Sequence, residues 1–160
     1  MLQVGNVGLS QSEQIAHFSL WALMAAPLLI ATDLRTLDNA SLAILLNREV
    51  IALNQDSLGV QGVRVSPSNT TGAEVWAKPL TGGSVAIIFL NRGDAEADIP
   101  TTWNQVGFKP NVGSVRDVWL HAPLPGTYSG GYTAKQVAGH SIVMLTVSKP
   151  AQQLTVDRTN

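Results

Sequence analysis

The sequence predicts an α/β segment over residues 1–56, an all-β antiparallel sandwich over 57–148 and a tail over 149–160. Three observations carry this. The run from Phe18 to Ala31, FSLWALMAAPLLIA, has Ser19 as its only polar residue. A surface helix shows one apolar stripe and one polar face, so a run that is apolar almost all round belongs inside a larger assembly of elements. From Ser57 onward the pattern changes to short β-branched runs broken by turn residues about every ten positions. Finally, 45% of residues are hydrophobic and 13% charged, against a usual charged share of about 25%. That balance describes a well-buried scaffold, not a disordered chain.

The first helix opens after Gly5 and Gly8 with Ser10-Gln11-Ser12-Glu13. Here the Ser10 side chain can accept from the Glu13 amide while Glu13 reaches back, a capping box. The helix runs towards Ala26, because Pro27 disfavours helical geometry in the residue before it. Pro27 to Thr32 is a short continuous apolar run, the pattern of a strand buried on both faces. Asp38 can cap a second helix over Asn39 to Asn47, with Leu42, Leu45 and Leu46 on one face. Val50 to Leu53 is a further apolar stretch leading into Asn54-Gln55-Asp56. A lone parallel strand leaves backbone groups unpaired, so its neighbours are expected upstream of Met1. Trp21 and Met24 should then be under-packed.

Strands are expected at Gly62–Val65, Ala73–Pro79, Ser84–Asn91, Ala97–Ile99, Val115–Trp119, Tyr132–Val137, Ser141–Val147 and Leu154–Val156. Gly82-Gly83 reads as a hairpin turn, and Pro125-Gly126 and Gly130-Gly131 as loops. Short strands at this spacing argue for a sandwich.

A net charge of −1 with scattered Lys and Arg leaves no footprint for nucleic acid or an anionic membrane. The apolar run is too short for a membrane span and is broken by Pro27. With no cysteine, disulfides and thiolate metal sites are excluded within this stretch. His17, His121 and His140 lack metal-ligand spacing. Glycosidic chemistry needs two facing carboxylates, and no convincing pair stands out. Asp94, Glu96 and Asp98 read as a solvated turn, and Asp117 as the exposed side of a strand. Asp33 ends the expected parallel strand, where ligand-facing residues sit in α/β barrels. It is a candidate substrate-binding residue, against the alternative that it organises the following loop or pairs with Arg35. Asn54-Gln55-Asp56 is expected to tie the two regions together. Trp76, Trp103 and Trp119 read as core anchors, with a sugar-stacking platform as the alternative. Asn39 and Asn69 begin glycosylation sequons.

Several segments resemble glycoside hydrolase family 27, the α-galactosidases. They include Met1-Leu2-Gln3-Val4-Gly5-Asn6, His17-Phe18-Ser19-Leu20-Trp21, Asp33-Leu34-Arg35 and Asn47 through Asp56. Val75-Trp76-Ala77-Lys78-Pro79, Phe89-Leu90-Asn91-Arg92-Gly93 and Val115-Arg116-Asp117-Val118-Trp119 continue the likeness in order. The resemblance implies an α/β barrel remnant, the last helix-strand-helix of a (β/α)8 barrel, followed by the sandwich. Met1 would follow the family's W-N-D-P-D motif and form an apolar wall of the substrate pocket. The two catalytic Asp residues of the retaining mechanism would lie upstream. No cofactor or metal is implied, and the partner would be an α-galactoside oligosaccharide or glycoconjugate. A secreted, vacuolar or lysosomal location is implied by the family alone. Two alternatives remain: a non-catalytic sugar-binding sandwich, and an α-N-acetylgalactosaminidase of the same family. The chain alone is expected to be inactive.

Overall fold

The computed structural model describes residues 1–66 and 72–150. Helix α1 spans Gln11–Leu23, and the Ser10–Glu13 capping box forms as the sequence predicts. The helix stops three residues before the expected Ala26. Ala25 turns left-handed, at φ 51°. Its N–H donates to the Ala22 carbonyl at 3.1 Å, and that of Ala26 to the Trp21 carbonyl at 3.0 Å. This pair of bonds satisfies the last turn's carbonyls without glycine.

Helix α2 covers Asn39–Leu45, capped by the Asp38 side chain. Ile44, Leu45 and Ser41 are its buried positions, whereas Leu42 and Leu46 are exposed. The expected apolar face was therefore rotated from the observed one. The stretch at Val50–Leu53 belongs to a third helix, α3, over Arg48–Asn54. Asn47, expected to end α2, instead caps α3 by accepting from the amides of Glu49 and Val50.

The buried strand expected at Pro27–Thr32 does not form. What remains is one parallel bridge, Leu2 to Ile30. The Leu2 N–H donates to the Leu29 carbonyl at 2.7 Å, and the Ala31 N–H to the Leu2 carbonyl at 3.2 Å. Leu29 is 59% exposed and Ile30 41%. A bridged pair with no further neighbour can bury only one side.

Strands β1 (Val63–Arg64), β2 (Ala73–Pro79), β3 (Val85–Asn91), β4 (Ala97–Thr102), β5 (Val112–Asp117), β6 (Ala122–Pro123), β7 (Tyr128–Ser129), β8 (Gly131–Val137) and β9 (Ser141–Ser148) follow. They match the expected strands with shifted ends, except that β6 and β7 were not foreseen. The region expected at Leu154–Val156 lies outside the described residues. The main sheet runs β1-β2-β3-β9-β5-β6, with β7 on β5, and a second sheet pairs β4 with β8. All of these pairings are antiparallel. The turn Thr81–Gly83 joins β2 to β3 where Gly82-Gly83 predicts it, with both glycines at φ 79°.

Alternation along the main sheet builds two cores. Val85, Ile87 and Phe89 face the second sheet with Val75, Val115, Leu145 and Val147. Ala86, Ile88 and Leu90 face the helices with Phe18, Ala22, Leu23, Val50 and Met144. Much of the α1 run thus finds its partners on the sandwich. Trp21 and Met24 stay partly exposed.

Candidate functional site

The residues that could line a substrate pocket lie around the Leu2–Ile30 bridge. Met1 is 62% exposed beside it. Asp33, three residues past Ile30, gives both carboxylate oxygens to Arg35: Oδ1 accepts from the backbone N–H and from Nε at 3.0 Å, and Oδ2 from an Nη at 2.7 Å. The Arg35 side chain and backbone hold the Asp33 carboxyl below the usual range. The geometry is that of a loop organiser, the alternative weighed from the sequence.

The loop after Leu2 is pinned to α1. Gln3 donates its N–H to His17 Nε2 at 3.1 Å, and Gly5 donates to Gln14 Oε1 at 2.9 Å. Burial pushes the His17 imidazole below its ordinary range. The neutral ring is the form whose Nε2 can accept. Gly5, at φ 83°, has no room for a Cβ against Leu37, so this loop closes onto the segment that follows Ile30.

The seam between the helices and the sandwich holds most of the charged chemistry. Arg116 of β5 donates from Nε and Nη2 to both oxygens of Glu49 in α3, at 2.8 and 2.7 Å. His121 Nδ1 lies 2.9 Å from the same carboxylate. The Arg116 guanidinium holds the Glu49 carboxyl down at about 2, against the burial that would raise it. Lys78 is fully buried on the helix-facing side of β2 and donates to the Leu53 carbonyl at 2.6 Å. A cation suits the last turn of a helix such as α3. Burial lowers the Lys78 ammonium's pKa, with Asp56 opposing. Asp56 makes the expected tie between the regions, accepting from the Thr81 N–H and hydroxyl. Asn54 instead reaches Ala26 within the helical region.

Every described carboxylate except Glu96 has a structural partner. Glu13 and Asp38 cap helices, and Asp117 accepts from the amides of Trp119 and Leu120. Glu74 takes Arg64, Arg92 and the Trp76 indole. Asp94 lies 2.8 Å from His140 Nε2, and Asp98 pairs with Lys135, so this predicted solvated turn is tethered at its surface. No two of these groups are held free across a cleft.

The three tryptophans do not form a platform. Each indole N–H is used internally: Trp76 on Glu74, Trp103 on the Tyr128 carbonyl, Trp119 on Ser19. Trp76 and Trp119 pack towards the helices and Trp103 between the sheets. Asn39 is exposed at the start of α2. Asn69 lies outside the described residues. The sequence reading missed the aromatic pair Tyr128 and Tyr132, whose rings meet edge-on with centroids 5.1 Å apart. Its signal was present: two tyrosines flank Gly130-Gly131 in one short stretch.

Comparison with known proteins matches residues 1–56 to the family described as "Alpha galactosidase A". Residues 70–147 match "Alpha galactosidase C-terminal beta sandwich domain". The chain is 46% identical over 130 residues to Alpha-galactosidase 2 of Arabidopsis thaliana, covering 81% of this chain and 31% of that protein. It is 42% identical over 149 residues to Alpha-galactosidase of Oryza sativa subsp. japonica, covering 92% and 34%. The crystal structure of alpha-galactosidase I from Mortierella vinacea superposes with a TM-score of 0.85 at 31% identity, over 93% of this chain and 38% of that one. The chain spans about a third of the length of these curated relatives. With a barrel-domain match, then a sandwich match in the same order, on a fold that superposes across both regions, the chain belongs to the glycoside hydrolase family 27 α-galactosidases.

Proposed function

We propose that this chain is the C-terminal part of a retaining α-galactosidase that removes terminal non-reducing α-D-galactosyl residues from oligosaccharides or glycoconjugates. The observation that carries the reading is the tandem match, barrel domain then C-terminal sandwich, to proteins named α-galactosidases. In a retaining mechanism one carboxylate attacks the anomeric carbon and a second protonates the departing oxygen, then deprotonates water. Both groups belong to the barrel portion that the relatives carry beyond the region matched here. The engagement of the described carboxylates in caps and ion pairs supports that assignment. Met1 would contribute an apolar wall to the pocket. Asp33 would act next to it, with Arg35 fixing the loop that follows the Leu2–Ile30 bridge. Residues 1–56 would be the closing piece of the barrel and 57–148 its companion sandwich. Exposed Asn39 is a candidate glycosylation site, in keeping with a secreted, vacuolar or lysosomal protein. No helix among the described residues is long and apolar enough to cross a membrane.

The purified 160-residue chain should show no turnover of an aryl α-galactoside. Measurable hydrolysis, abolished by substituting a carboxylate of this chain, would overturn the placement of the catalytic pair. The transcript upstream of the Met1 codon should encode W-N-D-P-D. A different sequence in the same reading frame would remove the pocket role given to Met1.

A further inference from the structure

Among the described residues, the sandwich carries a concavity of about 420 Å3 on the side away from the helices. Tyr128 and Tyr132 form one wall and pack against the inter-sheet core, not the helix-facing one. Gly130 and Gly131 line it together with Thr101, Thr102, Ser129 and Thr133. Gly131 could not be replaced, because a Cβ there would stand 2.2 Å from the Thr101 carbonyl oxygen. Above Gly130, at φ 74°, the space is open. The close β4–β8 pairing therefore admits no side chain at Gly131.

The lining contains no charged side chain, which disfavours ionic ligands. It is rich in hydroxyl groups, and Tyr128 and Tyr132 are only partly buried. The hydrogen bonds that order this end of the sandwich run through Trp103, Gln105 and backbone groups, and among the described residues neither phenol takes part in one. A tyrosine combines an apolar ring with a polar handle, which matches a ligand that has C–H faces and a belt of hydroxyls. We propose that the Tyr128–Tyr132 shelf binds one neutral pyranose unit of an oligosaccharide. This site stands on the pocket's chemistry and does not depend on the catalytic reading. It places a sugar-binding role on the sandwich at two tyrosines, where the tryptophans supply none.

The test is a ¹H–¹⁵N NMR titration of the full chain with raffinose and, separately, with maltose. Shifts should concentrate on the amides from Tyr128 to Thr133, with a dissociation constant on the order of 1 mM, the scale for a monosaccharide-sized contact on an open surface. Replacing both phenols (Tyr128→Phe with Tyr132→Phe) keeps the rings and the fold, and should weaken binding about fivefold by removing two hydrogen-bonding groups. Tyr128→Ala should weaken it by about tenfold or more, by removing the stacking face. Preference for raffinose or for maltose would name the sugar, and either supports the site. Three results would overturn the proposal: no shift with either sugar at about 50 mM, shifts confined to other residues, or unchanged affinity in the double phenylalanine variant. None of these bears on the aryl α-galactoside assay, so the two readings fail separately.

Discussion

Pro27–Thr32 and Val85–Asn91 carry the same local signal, an unbroken apolar run between turn residues, and end in opposite surroundings. In β3, Ile87, Ile88 and Phe89 are at most 1% exposed. In the earlier run Leu29 and Ile30 are 59% and 41% exposed, and the nearby Leu34 62%. β3 has β2 and β9 hydrogen-bonded along its whole length, helices on one face and the β4–β8 sheet on the other. Ile30 has one bridge partner. A continuous apolar run therefore reports that both faces can be buried, and the elements that arrive decide whether they are.

The largest expected effect tests that difference directly. Phe89→Ala and Ile88→Ala, one on each face of β3, should each cost about 3–4 kcal/mol in urea unfolding of this chain. Ile30→Ala should stay within about 0.5 kcal/mol, as for an exposed position. Equal costs at the three sites would erase the contrast. A smaller effect is expected at the seam. Lys78→Ala removes the donor to the Leu53 carbonyl and opens a cavity under α3, and should cost about 2–3 kcal/mol. If it is neutral, the helices do not depend on the sandwich through this contact.

The smallest effect is electrostatic. Glu49 titrates at about 2 in the fold against an ordinary 4.5. The folded state therefore binds its proton less readily than the unfolded chain. The resulting stability is present above pH 4.5 and is lost as pH falls towards 2. Because both partners are partly exposed, Glu49→Gln should cost only about 1 kcal/mol at neutral pH. It should also flatten the loss of stability between pH 4.5 and 2. An unchanged acid profile in the variant would show that the Arg116 pair does not join the two regions energetically.

Legibility from the sequence followed the range of the interactions. The Ser10 capping box and the Asp38 cap close within three residues, and both stand where the sequence places them. The Gly82-Gly83 turn is equally local. The end of α1 was misjudged because Ala25, not a glycine, takes the left-handed position. Helix α3 was missed because its signal is a cap at Asn47 that also fits the preceding helix. In the candidate site, Asp33 was singled out from its place after an apolar run, and its pairing with Arg35 was part of the alternative reading. The Glu49–Arg116 pair could not be found that way, since its members lie 67 positions apart.

By itself the sequence determined the family, the order of its two regions, the caps and most of the strands. Caps and turns are satisfied within a few residues, and family motifs are read in linear order. Tertiary structure alone decided which apolar runs are buried, why a lysine can sit inside the seam, and that the tryptophans pack as separate anchors while Tyr128 and Tyr132 meet edge-on. Each of those outcomes depends on surfaces brought together from distant parts of the chain, and burial is a property of the assembled neighbours rather than of the run itself.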